Sequence, residues 1–255
     1  LNMFFGPFVN AARGIAVQVQ GAVTQFSTNF QTALNPQITK SYALGDFTYM
    51  HSLIFRSSKF TFLLLAVISF PILLETEMIL QLWLNMVPAY TVVFVRLMLC
   101  ITIIDAMGGA FMVAAQSTGR VRFYQSVVGG ILLAIVPVSY VVLRLGAAPW
   151  SVFLIHFCVC TVAFFVRLFI IRSMIHLSLY SYFHAVLLRC LYVLLLAMPL
   201  PIGLLYIFPA TLWAGISVCF VSVLTISLSS YRVGLAEGER KFIKAKIRMV
   251  LSKSN

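Results

Sequence analysis

The stretch from Cys190 to Tyr231 contains no charged residue across 42 positions. As a single helix it would be about 63 Å long, twice the hydrocarbon thickness of a bilayer. Pro199, Pro201 and Pro209 interrupt the stretch, so we predict two membrane-spanning helices that meet near Pro209. The whole chain is 62% hydrophobic and 9% charged, which is typical of a polytopic membrane protein and excludes an ordinary soluble domain.

Four other segments have the apolar composition and the length expected of membrane spans. They are residues 60–74, 88–115, 123–143 and 147–166. With the polar helix described below, these segments predict an all-α polytopic transmembrane helix bundle of about seven complete spans.

We assign residues 1–231 to this bundle and residues 232–255 to a basic amphipathic cytoplasmic tail. Residues 1–5 are expected to be the end of a preceding, truncated span. Residues 36–58 are expected to form a loop with an interfacial helix. Lys59 is expected to snorkel towards the membrane surface from the end of its short span.

The basic residues follow the predicted alternation of the spans. Residues 36–59, 116–123, 167–189 and the tail hold 15 of the 18 Lys and Arg residues, and alternation places all four regions on one side of the membrane. The positive-inside rule then predicts a multi-pass inner (plasma) membrane protein with a cytoplasmic C-terminus. Residues 236–253 read as a basic helix on the anionic leaflet, so we expect membrane lipids and no nucleic acid as partners.

The segment from Ala11 to Gln37 is helical in its periodicity, but one of its faces is polar. At about 100° per residue, one arc is apolar: Ile15, Val19, Ala22, Val23, Phe26, Phe30, Ala33 and Leu34. The opposite, wider arc carries amides and hydroxyls, which lipid cannot satisfy. We therefore expect this face to line a hydrated cavity. A helix lying flat on the membrane surface, and amides that only bond neighbouring helices, are the alternatives.

The candidate site residues are polar groups within predicted spans. The substrate-binding, cavity-lining candidates are Arg13, Gln18, Gln25, Asn29, Gln31 and Arg96. A guanidinium binds phosphate bidentately, which makes Arg13 the first candidate for an anionic headgroup. Asp105 is the candidate for gating or protonation, because it lies inside a span and precedes a glycine pair at which the helix can bend. A structural counter-ion is the alternative role for Asp105.

Arg96 and Asp105 are nine positions apart, on opposite sides of a helix, so each needs a partner elsewhere. His156 lies inside a span, where a hydrogen-bonded core residue is the main interpretation and a proton relay the alternative. The five cysteines all lie in apolar runs, which argues against a disulfide framework. We expect no metal and no cofactor.

Three segments of the sequence resemble motifs of a known protein family: residues 10–16 (NAARGIA), residues 35–46 (NPQITKSYALGD) and residues 83–91 (WLNMVPAYT). Together they resemble the polysaccharide (O-antigen type) flippases of the multidrug/oligosaccharidyl-lipid/polysaccharide exporter superfamily. Members of that family have two similar halves around a central cavity. The chain resembles the second half, so the resemblance implies an N-terminal half as partner.

The resemblance also implies a function. It implies a transporter, and not an enzyme, that moves a polyprenyl-diphosphate-linked oligosaccharide across the inner membrane by alternating access, for cell-surface polysaccharide or lipopolysaccharide synthesis. A multidrug/cation antiporter of the same superfamily is the nearest alternative. A membrane-embedded glycan polymerase or acyltransferase is the alternative from another class.

Overall fold

A computed structural model of the chain describes residues 1–84, 86–209 and 211–240. These residues form helices joined by short turns, with no strand among them. In chain order the helices are α1 (Asn2–Ala43), α2 (Phe47–Leu74), α3 (Thr76–Trp83), α4 (Thr91–Met107), α5 (Gly109–Ser117), α6 (Val121–Leu133), α7 (Ile135–Arg144), α8 (Ser151–Ile175), α9 (Leu179–Tyr182), a π-helical turn π1 (Phe183–Leu187), α10 (Leu188–Ala197), α11 (Pro199–Ile207), α12 (Leu212–Ser229) and a second π-helical turn π2 (Ser230–Gly234).

Six of the helical segments are long and apolar enough to cross a membrane. They are Phe47–Leu74, Thr91–Ser117, Val121–Arg144, Ser151–Ile175, Leu179–Ile207 and Leu212–Gly234. The predicted all-α polytopic bundle is therefore confirmed. The seventh long helix, α1, is too polar to belong to this set, so the count of seven spans stays a prediction.

Helix α1 is longer than the polar pattern indicated. It is kinked at Gly6, where φ is 73°, and the kink separates residues 1–5 from the rest of the helix. The break expected at Pro36 is wrong, because the helix continues to Ala43. Ile38 is fully buried just beyond the proline, and this packing keeps the chain helical despite the lost backbone hydrogen bond.

The loop expected over residues 36–58 is also wrong. Only a tight turn separates α1 from α2, with Gly45 at a φ of 71°. Asp46 then begins α2 as an N-cap, because its carboxylate accepts a hydrogen bond of 2.9 Å from the backbone N–H of Tyr49. Leu53 and Ile54 are buried in the first turns of α2, so tertiary packing extends the helix well before the apolar run.

Lys59 does not snorkel as expected. It is buried, and its ammonium donates a hydrogen bond of 2.6 Å to the carboxylate of Glu239. The ion pair forms because the segment that follows α12 folds back onto α2. The predicted amphipathic helix over residues 236–253 lies mostly outside the described residues.

The span expected to end at residue 166 in fact continues as α8 to Ile175, so Arg167 lies within a helix. The weak point expected at the glycine pair is confirmed, because α4 ends and α5 begins at Gly108.

Contacts between helix ends agree with the predicted alternation. Thr39 and Ser117 are hydrogen-bonded at 3.3 Å, so the ends of α1 and α5 meet. His51, near the start of α2, lies 2.9 Å from the carbonyl of Ile175 at the end of α8. We call this the basic end of the bundle, because most of the predicted cytoplasmic basic segments reach it.

Candidate functional site

The polar side chains of α1 lie on the outer surface of the bundle. The amide face, as we call it, consists of the exposed residues Gln18, Gln25, Thr28, Asn29 and Thr32. The opposite side of α1 packs onto α2 and α4. The described residues do not enclose the amide face, so its role as a cavity wall stays a prediction that requires a second wall.

The amide face keeps free hydrogen-bonding capacity. The Gln25 side-chain amide donates to the Asn29 side-chain oxygen at 3.2 Å. The hydroxyls of Thr28 and Thr32 donate to the carbonyls four residues earlier in the same helix. The carboxamide of Gln25 and that of Asn29 each retain groups that this mutual bond does not use. The face therefore offers both donors and acceptors to whatever contacts it.

The buried side of α1 is rotated relative to the predicted apolar arc. Phe26, assigned to that arc, is 53% exposed, whereas Ser27, assigned to the polar arc, is only 2% exposed. The Ser27 hydroxyl donates to the carbonyl of Thr24 at 2.8 Å, so burying it leaves no unsatisfied donor.

Gln31 links α1 to both α2 and α4 through its side-chain amide. Its side-chain amide donates to the carbonyl of Ala106 at 2.8 Å and to the hydroxyl of Thr61 at 3.2 Å. The break after α4 frees carbonyls near its end, and Gln31 uses one of them. Gly109 lies directly against the Gln31 amide, where any side chain would collide with it. These bonds match the alternative of an amide that links neighbouring helices; a role in substrate binding stays a prediction.

Asp105 pairs with Arg167 of α8 at 2.8 Å. The expectation that Asp105 needs a partner outside its own helix is therefore confirmed. The Arg167 side chain is 13% exposed and that of Asp105 is 54% exposed. A β-carbon on Gly108 would lie 2.7 Å from the Arg167 guanidinium, so the glycine permits this approach. We call Gln31, Asp105, Gly108, Gly109 and Arg167 the glycine junction.

Arg167 is the residue that sequence reasoning missed, because it was assigned to the end of a span. Its Nε–H is buried and has no hydrogen-bond partner in the described part of the chain. The apolar run Leu168–Ile171 directly follows it, and this run was the signal that the helix continues. Arg167 therefore joins Asp105 as a candidate for gating.

Arg96 lies in the second turn of α4 and not in the middle of the span. Its guanidinium donates to the Thr76 hydroxyl at 3.2 Å and to the carbonyl of Leu74 at 3.4 Å. This geometry ties α4 to the end of α2. Its contact with substrate stays a prediction.

Arg13 is exposed near the start of α1. It is 18 positions from Gln31, about 27 Å along the helix. The candidates on α1 thus form an extended strip and not a single small pocket. His156 lies half-buried in α8, and its role stays open between core residue and proton relay.

The five cysteines are unpaired in the structure. Over residues 1–84, 86–209 and 211–240, no three His, Cys, Asp or Glu side chains come together as a metal site would require.

Comparison with known proteins gives no match: no protein-family model, no curated protein and no solved structure matches the chain.

Proposed function

We propose that the chain is the C-terminal half of a flippase that moves a polyprenyl-diphosphate-linked oligosaccharide across the cell inner membrane. The amide face on a helix of a membrane-spanning bundle carries this proposal. The protein acts by alternating access, without chemical change to the substrate.

The amide face suits a sugar chain in both chemistry and length. Exposed carboxamides and hydroxyls cannot face lipid, where each unsatisfied group costs several kcal/mol, so a spanning α1 needs water or a polar ligand beside it. Gln18 and Asn29 are 11 positions apart, about 17 Å along the helix. A strip of this length serves several sugar units, whereas a small solute needs a compact pocket.

Two arginines offer contacts for the diphosphate. Arg13 is exposed about 8 Å before Gln18 along α1, and a guanidinium binds phosphate oxygens in pairs. Arg167 is already paired with Asp105, so it becomes available only if that pair opens. In this proposal the second wall of the cavity comes from an N-terminal half that packs opposite α1.

Asp105 and Arg167 act as the gate in this proposal. Their bond joins α8 to the end of α4, next to the break at Gly108. Opening the pair frees α5 to tilt relative to α4, which would change the walls beside Gln31. Protonation of Asp105 or the arrival of a substrate anion at Arg167 would each weaken the pair.

The cation antiporter is less favoured by the same geometry. An organic cation in the membrane requires a free carboxylate. Of the six acidic residues in the sequence, Asp105 is the one that lies in the middle of a span, and Arg167 already neutralises its charge. An antiporter would therefore have to break an ion pair before it could bind its substrate.

The test is complementation with the full-length gene in a strain that lacks it. Loss of a flippase should cause a lipid-linked glycan to accumulate on the cytoplasmic side, and the wild-type gene should clear it. The double variant Gln25→Ala/Asn29→Ala should clear it several-fold more slowly. The matched control Leu133→Ala/Val136→Ala, on exposed apolar positions of α6 and α7, should behave as wild type.

Three results would overturn the proposal. The first is clearance by the double variant at the wild-type rate. The second is a strain that loses export of a cationic dye and accumulates no glycan, which would support the antiporter. The third is formation of a new glycosidic or acyl bond by the purified protein, which would support the enzyme.

A further inference from the structure

A basic pocket lies between the start of α10, with the turn π1 before it, and the turn π2 with the segment that follows it. Its volume is about 520 Å³. It is lined by His184, Leu188, Arg189, Tyr192, Arg232, Val233, Leu235, Ala236, Glu237 and Arg240. Helix α1 packs on α2, α4 and α5, so the basic pocket is separate from the amide face.

Both π-helical turns of the described chain border this pocket. Turn π1 contributes His184 and turn π2 contributes Arg232 and Val233. Isolated π-helical turns inside α-helices are rare and are frequent at functional sites, because the extra residue redirects side chains. Two such turns beside one cavity therefore favour a functional role for this cavity.

The pocket carries a surplus of positive charge. Arg189, Arg232 and Arg240 line it together with a single carboxylate, Glu237. The neighbouring carboxylate of Glu239 is not available, since it accepts from the Lys59 ammonium at 2.6 Å and from the Ala236 N–H at 2.7 Å.

The three guanidiniums differ in how they are held. Arg240 is fixed, because it donates to the carbonyl of Leu235 at 3.1 Å and to that of Arg232 at 2.6 Å. The side chains of Arg189 and Arg232 make no hydrogen bond to any other described residue. Over residues 1–84, 86–209 and 211–240, two guanidiniums are thus without a partner beside a third that is already ordered.

An apolar surface adjoins the cations. Tyr192 lines the pocket and is itself exposed, and Leu191 and Leu195 are exposed on the same helix α10. The pocket lies at the C-terminal end of the segment Leu212–Gly234 and in the N-terminal half of the segment Leu179–Ile207, and the predicted alternation places both of these segment ends on the basic side. Cations at the end of an exposed apolar helix fit a ligand that has a phosphate and acyl chains.

We propose that the basic pocket binds the phosphate headgroup of an anionic phospholipid, with the acyl chains along α10. Arg189 and Arg232 hold the phosphate, and Arg240 supplies a fixed positive charge beside it. This lipid is a bound partner of the fold and not the transported substrate, so the site does not depend on the proposed flippase activity.

The test measures lipid-dependent thermal stability of the purified full-length protein in detergent. Phosphatidylglycerol should raise the unfolding temperature, and phosphatidylcholine should not. Each basic residue near a membrane surface contributes about 1 kcal/mol, so the double variant Arg189→Gln/Arg232→Gln should need roughly 25-fold more phosphatidylglycerol for the same effect. The matched control Arg122→Gln/Arg172→Gln removes two exposed arginines elsewhere and should respond as wild type.

Native mass spectrometry of the wild-type protein gives a readout that needs no variant. It should show retained phosphatidylglycerol in preference to phosphatidylcholine. Equal retention of both lipids, or an equal loss in the pocket and control variants, would overturn the proposal. So would an equal effect of glycerol phosphate without acyl chains, or displacement of phosphatidylglycerol by stoichiometric undecaprenyl diphosphate, which would assign the site to a free phosphate or to the substrate.

Discussion

Two short ion pairs among the described residues join segments that are distant in sequence, and they differ in surroundings. Lys59 and Glu239 are 5% and 9% exposed, with their atoms 2.6 Å apart. Asp105 and Arg167 are separated by 2.8 Å, but the aspartate is 54% exposed. The first pair joins α2 to the segment that follows α12, whereas the second lies beside the break between α4 and α5.

The difference separates a structural pair from one that can switch. A buried pair holds its geometry because either charge alone would be left without solvation. A half-exposed pair loses much less when it opens, since water or a ligand replaces the missing partner. The protein therefore has a fixed ion pair between α2 and the segment after α12, and a labile ion pair at the glycine junction.

The largest expected effect comes from breaking the buried pair. Lys59→Met leaves the Glu239 charge buried and should lower the free energy of unfolding by about 3–5 kcal/mol. Equilibrium unfolding in mixed micelles measures the loss. Arg56→Gln is the control, because Arg56 lies 3.9 Å from the same carboxylate but is 51% exposed, and it should change stability by less than about 1 kcal/mol.

The second variant of this set removes both charges. Lys59→Met/Glu239→Leu should recover most of the lost stability, because no buried charge remains. If the double variant is as unstable as Lys59→Met alone, the loss of stability does not come from an uncompensated buried charge, and the interpretation of this pair is wrong.

A smaller effect is expected where α1 approaches the glycine junction. Gly109→Ala places a methyl group against the Gln31 amide and should destabilise the protein by about 1–3 kcal/mol. Gly130→Ala, at a position with open space around it, should be neutral or slightly stabilising. Shortening Gln31 to alanine in the Gly109→Ala background should remove most of the clash; additive losses would show that the two side chains do not meet.

The smallest change in stability should come from the pair of Asp105 and Arg167, in which the carboxylate is exposed and the guanidinium is not. Asp105→Asn should lower the free energy of unfolding by about 1–2 kcal/mol, less than the buried pair, because half of the aspartate is already exposed. The proposed gate nevertheless requires a change in transport. Glycan clearance that stays at the wild-type rate at every pH would exclude Asp105 from gating, and Asp105→Glu should restore function if the charge is what matters.

Much of the fold was predictable because the relevant forces are local. Long uncharged runs predict helices that cross the membrane, and the glycine pair before Ala110 predicts the break between α4 and α5. The continuation of α1 past Pro36 was not predictable from local pattern, and neither was the ion pair of Arg167, although the apolar run after Arg167 indicates that α8 continues. Both depend on partners distant in sequence: the core around Ile38 and the carboxylate of Asp105.

The candidate site was predictable in composition but not in arrangement. A helical projection separates the amides of α1 from its apolar arc, and three of the six predicted contacts, Gln18, Gln25 and Asn29, lie on one exposed strip. The projection could not show that Gln31 is bonded to α2 and α4, because hydrogen bonds between helices leave no periodic signal. The sequence pattern also could not show that Lys59 is buried, because a lysine at the membrane surface gives the same pattern.

The central claim is that α1 crosses the membrane with its amide face in water, and cysteine labelling tests it most directly. The five native cysteines are first replaced, and single cysteines are introduced at Gln25, Asn29, Leu133, Asn10 and Lys40. We expect a membrane-impermeant thiol reagent to label positions 25 and 29 quickly and position 133 slowly. Positions 10 and 40 should be labelled from opposite sides of the membrane. Protection of positions 25 and 29 in every conformation, or labelling of 10 and 40 from the same side, would contradict the account.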